Sequence, residues 1–352
     1  MSAANDRPSS VAGAPASTKA PATPGKAGLK LDPFLISLIA AVVIGLVFPG
    51  PGADDGVLHM PIVTNLGIAA IFLLHGAALA PKNLVAGARN WKLHLFTQLT
   101  VFGLFPLIGV IVILATRSVV PLDLLTGFFY LCALSSTVSS SVALTAMAGG
   151  NVAGAVFNAT LSGLLGMFLT PMLSGVMAHT SGGGMPLGKA ILDICIKLLL
   201  PFVVGQLARP LIGGFLHRHK KSTTLVDRSV IVLIVYASFC QSTRTGVWSQ
   251  HGMGMIALVA VITALLLIVA LAVTVRFARL LRLSHEDEIA GVFCGSTKSL
   301  ANGIPIAKVL FASQPGIGLI VLPLMVYHPL QLVACTWLAR RYAGRREVAV
   351  GG

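Results

Sequence analysis

Two hydroxyl-rich interruptions, each inside an otherwise apolar run, are the residues best able to do chemistry in this chain. One reads LCALSSTVSSSVALTAMAGG and carries Ser136, Thr137, Ser139, Ser140 and Ser141. The other reads GVFCGSTKSLANGIPIAKVL and carries Ser296, Thr297, Lys298, Ser299 and Asn302. Both contain Ser-Thr-x-Ser, and the two copies lie 160 residues apart. Polar breaks of this kind split a helix and leave free N–H and C=O groups whose dipole ends face an ion or an anion. Ser, Thr and Gly also permit close helix packing. Matched clusters at corresponding places favour the ion-binding reading over packing alone.

Lys298 is the most informative single residue. It lies about a dozen residues from either end of its apolar run, roughly 18 Å at 1.5 Å per residue, too far for its stem to snorkel out comfortably. A lysine at mid-bilayer costs roughly 2.5–3.5 kcal/mol on insertion scales, so it needs a partner or a task. Three tasks fit: a structural pair with hydroxyls or carbonyls, a fixed cation for a substrate carboxylate, or a tenant where a coupling cation would sit. Lys197 differs, because Asp193 at i−4 shares its helical face and offers a local ion pair. His75, His328, Gln98, Gln331 and Asn158 are the other polar groups within apolar runs. The two histidines are candidates for proton or substrate contacts, with hydrogen-bonded packing the plain alternative. Asn158 and Thr160 follow the first break closely and join its cluster, and Gln331 lies just past Pro329 near the second.

The elements that must hold these groups are membrane helices. Of 352 residues, 55% are hydrophobic and only 10% charged, against roughly a quarter charged in an ordinary soluble domain. Such a chain cannot cover a globule with polar surface, which excludes a soluble enzyme, a nucleic-acid binder and a disordered scaffold despite the net charge of +14. The five cysteines sit in apolar runs without CxxC or zinc spacing and read as small buried hydrophobes. There is no Walker loop, HExxH, GxSxG or GxGxxG, and no carboxylate pair at mid-membrane. Catalysis, a bound cofactor and ATP-driven transport are therefore not expected; the only implied co-species is a coupling Na+ or H+.

A bilayer needs about 20 apolar residues per helix, and ten runs qualify as spans: 33–48, 62–80, 94–115, 124–148, 152–177, 188–214, 229–243, 253–277, 286–311 and 315–338. The first and seventh are short, and the fifth and sixth are long enough to tilt. Residues 1–30, rich in Ala, Ser, Pro, Thr and Gly, read as a disordered tail, residues 31–342 as the membrane unit and 343–352 as a second tail. Basic residues test the count through the positive-inside rule. With both ends cytoplasmic, 19 of the 25 Lys and Arg fall on the inner side and four on the outer, with Lys197 and Lys298 left inside spans. The net charge is thereby explained by topology, without a nucleic-acid partner. A bacterial cytoplasmic (inner) membrane fits.

The interruptions belong to a longer repeat. Met167-x-x-x-Pro171 in the fifth run recurs as Met325-x-x-x-Pro329 in the tenth, and Pro33-Phe34 opening the first has a looser echo in Pro201-Phe202 of the sixth. A duplicated five-span unit inserts its second copy upside down, and inverted repeats with broken helices are the mark of a secondary transporter. The fold expected is an all-α membrane protein of ten transmembrane helices. They form two inverted five-helix repeats with broken, crossing fourth and ninth helices.

The runs LLHGAALAPKNLVAGARNWKLHLFTQ, SSTVSSSVALTAMAGGNVAGAVFNATLSGLLGMFLTPML, FCGSTKSLANGIPIAKVLF and MVYHPLQL resemble the bile acid:sodium symporter superfamily. They are most similar to its SBF-like branch, shared by many bacteria and the seventh member of vertebrate solute carrier family ten. The resemblance covers about residues 31–342. It implies a panel of spans 1, 2, 6 and 7 and a core of spans 3, 4, 5, 8, 9 and 10, with an organic anion bound between them and two sodium sites beside the crossing helices. Ser141, Asn151 and the Asn158–Thr160 region match the helices of the first sodium site, Gln98 and Thr297 the neighbourhood of the second. The better-known branch places a Glu and a Gln-Asn pair in the ninth-span crossover, where this chain has Phe293-Cys294-Gly295-Ser296-Thr297-Lys298. Two unit charges 5 Å apart at an effective dielectric of 20 repel by about 3 kcal/mol, so a sodium ion beside protonated Lys298 is disfavoured by about two powers of ten.

The expected function is secondary transport of a small organic anion by alternating access, with Lys298 replacing one cation. A cation/proton antiporter of similar architecture and a non-transporting membrane regulator, for instance in calcium handling, are the alternatives.

Overall fold

Inside lipid every backbone N–H and C=O must be satisfied within the chain, so apolar runs can only be helices. A computed structural model describes residues 33–78, 90–180, 192–193, 195–246, 253–312 and 314–350, all helix and connecting turn, with no strand among them. The tail 1–30, the loop bearing Lys82 and Arg89, and the start of the sixth run with Lys189 lie outside the described residues.

The helices are α1 Pro33–Val47, α2 Met60–Ala78, α3 Trp91–Leu99, α4 Phe105–Thr116, α5 Leu122–Ala133, α6 Val138–Met147 and α7 Val152–Thr180. They continue with α8 Leu200–Arg218, α9 Lys220–Arg244, α10 Met253–Leu280, α11 His285–Ser296, α12 Leu300–Leu310 and α13 Ile317–Val350. A π-helical segment, Thr100–Leu104, joins α3 to α4, and a second, Cys195–Leu199, leads into α8. Seven of these helical stretches are long and apolar enough to cross a bilayer, and α5 with α6, bent by 55° at their break, forms an eighth. The apolar helix α1 has 15 residues. Large apolar side chains such as Leu66, Leu107, Ile111, Leu207 and Leu211 stand mostly exposed on the outside. A soluble monomer rarely shows so much bare apolar surface, whereas lipid covers it at no cost. The protein is an integral membrane protein.

The last helix runs on past the apolar stretch to Val350. Its final turns hold Ala, Arg and Glu with no Pro, and good helix formers let it continue. Arg209 lies inside α8. The pair Lys197–Asp193 forms as expected, at 3.5 Å and half exposed.

Ion pairs gather the connecting segments at the two ends of the bundle. At one end Arg244 reaches Asp55 at 2.5 Å and Lys308 reaches Asp54 at 3.5 Å, tying the α1–α2 loop to α9 and α12. At the other, Asp287 accepts from Asn90 Nδ2 at 2.6 Å and from Asn151 Nδ2 at 2.8 Å. Glu288 beside it accepts from Arg279 at 3.1 Å and from the Tyr342 hydroxyl at 2.8 Å.

Helices α2 and α8 approach backbone to backbone. A Cβ at Gly76 would run into the Phe202 carbonyl, and one at Gly205 into the Leu73 carbonyl. Small residues at such a seam let membrane helices close on each other. Gly205→Val is expected to destabilise the protein by about 1–3 kcal/mol, the usual cost of overpacking. Lowered thermal stability in detergent checks this; an unchanged melting curve would mean the seam is looser than described.

Candidate functional site

The two broken runs meet in the middle of the molecule. Leu134 and Thr137 flank the first break with extended backbone (ψ 151° and 135°), and Thr297 and Ser299 do the same at the second (ψ 139° and 108°). The Ser299 N–H donates to the Ser135 carbonyl at 2.9 Å, and the Ser136 and Thr297 hydroxyls lie 3.3 Å apart. Asn302 Nδ2 donates to Ser135 Oγ at 3.4 Å, and Ser299 Oγ caps α12 by accepting from the Asn302 N–H. Both Ser-Thr-x-Ser motifs thus come together, as their matched placement predicts.

Breaking a helix orphans its terminal carbonyls, and buried carbonyls need partners. Here side chains from other helices supply them. Thr170 donates to Ala133 and Tyr327 to Ser296, at 2.8 and 2.7 Å, and Tyr130 adds a bond to the Gly303 carbonyl within α12 at 2.5 Å. The Ser162 hydroxyl accepts from the Ser136 N–H at 2.9 Å.

Lys298 serves three more carbonyls. Fully buried, it donates from Nζ to the carbonyls of Leu134, Cys132 and Val101 at 2.7, 3.0 and 3.2 Å. The Phe105 ring covers the ammonium at 4.1 Å. Cys132 and Leu134 form the C-terminal, partially negative end of α5, where a cation is stabilised. Val101 belongs to the π-helical segment, and its carbonyl is free for a simple reason: the π-register donor would be Pro106, which has no N–H. Gln331 holds the Lys298 backbone from both sides, accepting its N–H at 2.7 Å and donating to its carbonyl at 3.0 Å. His328 accepts from Gln331 at 3.2 Å and so supports the clamp from behind.

Other predicted residues disperse. Gln98 and Asn158 do meet: Gln98 Nε2 donates to the Asn158 carbonyl at 3.2 Å, leaving Gln98 Oε1 buried without a partner. Asn158 lies one turn along α7 from Ser162. Thr160 and Ser141 turn back onto their own helices, at the carbonyls of Val156 and Thr137. Asn151 is engaged with Asp287 at the bundle end, some distance in sequence from either break. Ser140 is half-buried on α6 and Ser139 is exposed.

Ser139 opens onto a cavity of about 850 Å³ between α2, α8 and α9. Among its lining residues are Arg209, Lys220, His75 and Asp227, with Gln206, Thr223 and Thr224. Helix α6 begins at the edge of this cavity with no side-chain cap, so its first N–H groups and the positive end of its dipole are unclaimed by any capping group. Of these residues the sequence singled out only Ser139 and His75. Lys220 opens α9, Arg209 lies in the middle of α8 and Asp227 two turns into α9, and nothing in their spacing marks them.

A lipid-facing helical bundle, with two helix breaks in contact and a cavity lined by Arg209 and Lys220, suits a membrane transport protein. The chain belongs to the SBF-like CPA transporter family, which it matches over residues 32–344. Among its relatives, "Putative symporter YfeH" of Escherichia coli (strain K12) is 44% identical over 90% of this chain and 94% of that protein. "Uncharacterized protein PA2026" of Pseudomonas aeruginosa is 43% identical over 90% and 95%. "Sodium/bile acid cotransporter 7-B" of Xenopus laevis is 30% identical over 87% and 90%.

Proposed function

We propose that this protein is a secondary transporter of a small organic anion, working by movement of a core around the crossing helices against a panel containing α1, α2, α8 and α9. The observation that carries the reading is the cavity itself: Arg209, Lys220 and His75 line one space with Ser139, at the uncapped start of a half-helix. Two fixed cations and a helix N-terminus are complementary to a carboxylate or sulfonate. Lys298 stands in for one coupling cation, because its ammonium takes the carbonyl oxygens that a desolvated sodium ion would need.

Ten spans in two inverted halves agree with the meeting of both Ser-Thr-x-Ser breaks and with the bundle ends. Asp54, Asp55, Arg244 and Lys308 gather at one end, and Asn90, Asn151 and Asp287 at the other, as alternating loops require. The basic bias then puts the second end, and both termini, in the cytoplasm of a bacterial cell bounded by its inner membrane. Relatives bearing symporter and sodium/bile acid cotransporter names favour coupled solute movement.

The test is uptake into proteoliposomes of a panel of short mono- and dicarboxylates, alkyl sulfonates and taurocholate, under imposed sodium or proton gradients. Saturable, gradient-driven uptake of at least one is expected. Absence of flux for every member under every gradient would overturn the proposal.

A further inference from the structure

The cavity also contains an acid–base pair that anion binding alone does not use. His75 on α2 and Asp227 on α9 face each other across it, with Nε2 3.0 Å from Oδ2 and both side chains partly exposed. The second carboxylate oxygen, Asp227 Oδ1, is buried without a hydrogen-bond partner. An ionised carboxylate only accepts, so Nε2 carries the hydrogen of this bond and Nδ1 is the nitrogen left for another proton. Imidazole is the side chain that ordinarily changes charge between pH 5 and 8. The Phe72 ring meets the imidazole edge-on, 6.2 Å between centroids, and closes its apolar side.

The other charged groups set the sign of the effect. Among the described residues, Arg209 on α8 and Lys220 on α9 are the cations lining the cavity with His75. Arg228 on α9 lies instead over the Phe34 ring at 5.1 Å, and Lys197, just before α8, pairs with Asp193. With His75 neutral the cavity carries two positive charges and one negative. With His75 protonated it carries three and one, the added charge lying 3.0 Å from the Asp227 carboxylate. An anion and a proton then favour each other's binding, because each lowers the electrostatic cost of the other.

We propose that the His75–Asp227 pair is the proton-binding element of this protein, making it an anion–proton symporter. The inference rests on the transport reading above and adds the coupling ion to it. One proton enters at His75 Nδ1 with each anion bound and leaves when the anion departs, so a monoanion crosses with no net charge.

Pyranine-loaded proteoliposomes test this with the same panel of anions. For the wild type, external anion should acidify the lumen, and uptake at external pH 6 should exceed that at pH 8 by at least tenfold. His75→Gln should lose both the acidification and the pH dependence, its anion-induced thermal shift becoming the same at pH 6 and pH 8. Asp227→Asn should weaken both. The exchanged pair, His75→Asp with Asp227→His, should recover them, which separates loss of the proton site from misfolding. Sodium-driven flux equal at pH 6 and pH 8, in both the wild type and His75→Gln, would overturn proton coupling and leave the transport reading standing. No flux for any anion under any gradient would overturn both.

Discussion

Lys298→Ala is expected to abolish anion flux and to lower thermal stability sharply. The substitution leaves the carbonyls of Leu134, Cys132 and Val101 facing an empty space under the Phe105 ring. Each buried group deprived of its bond costs about 1–3 kcal/mol. Losses around one centre do not simply add, so about 3–5 kcal/mol is expected for the three carbonyls together. A sharper result concerns sodium. The vacated space offers three carbonyl oxygens, two of them at the negative end of α5, so sodium chloride should raise the melting temperature of the variant above its value in choline chloride. The wild type, whose ammonium already fills the space, should show no such difference. Lys298→Arg is not expected to restore function, because a planar guanidinium cannot place three donors where a compact ammonium does. Flux and stability equal to the wild type would reduce Lys298 to packing.

Arg209→Ala should weaken anion uptake by about 10- to 150-fold in half-saturating concentration. That is the range given by losing one charge-assisted hydrogen bond of about 1.5–3 kcal/mol. Arg209→Glu should abolish uptake, since a carboxylate then meets the incoming anion, and Arg209→Lys should retain part by keeping the charge without the two-pronged geometry. Lys220→Ala should matter less, because Lys220 is exposed and its field is screened over about 8–10 Å at physiological salt. The melting temperature of Arg209→Ala should stay near that of the wild type, as the side chain is only half-buried and forms no ion pair among the described residues. An unchanged half-saturating concentration would place the anion elsewhere.

How far the sequence reaches differs between the crossing helices and the cavity. The breaks were readable because Ser, Thr and Lys cannot sit idle in lipid, and both motifs prove to touch through Ser136, Thr297, Ser135 and Ser299. Lys298 stood out by the same argument, but its acceptors did not. They are backbone carbonyls, which every residue carries, and only the fold decides which are left over. Asn151, matched to an ion site by resemblance, holds Asp287 at the bundle end. The cavity was the least visible part. Asp227 and Arg209 approach His75 from different helices, and one-dimensional spacing says nothing about such encounters. The last helix continues past residue 342 because hydropathy ends where lipid ends, while helix propensity does not.

The π-helical segment between α3 and α4 has a consequence for the phase of the helix before it. A π turn accommodates one residue more than an α-turn, and each residue advances an α-helix by about 100°. Deleting a single residue from Thr100–Leu104 would let the regular ladder close through this stretch. It would also rotate α3 by about 100° relative to α4, swinging Gln98 away from Asn158. The segment therefore behaves as a spacer that sets the azimuth of α3. Two contacts 60 residues or more away in sequence, Gln98 to Asn158 and Lys298 to Val101, share that one extra residue as their common origin.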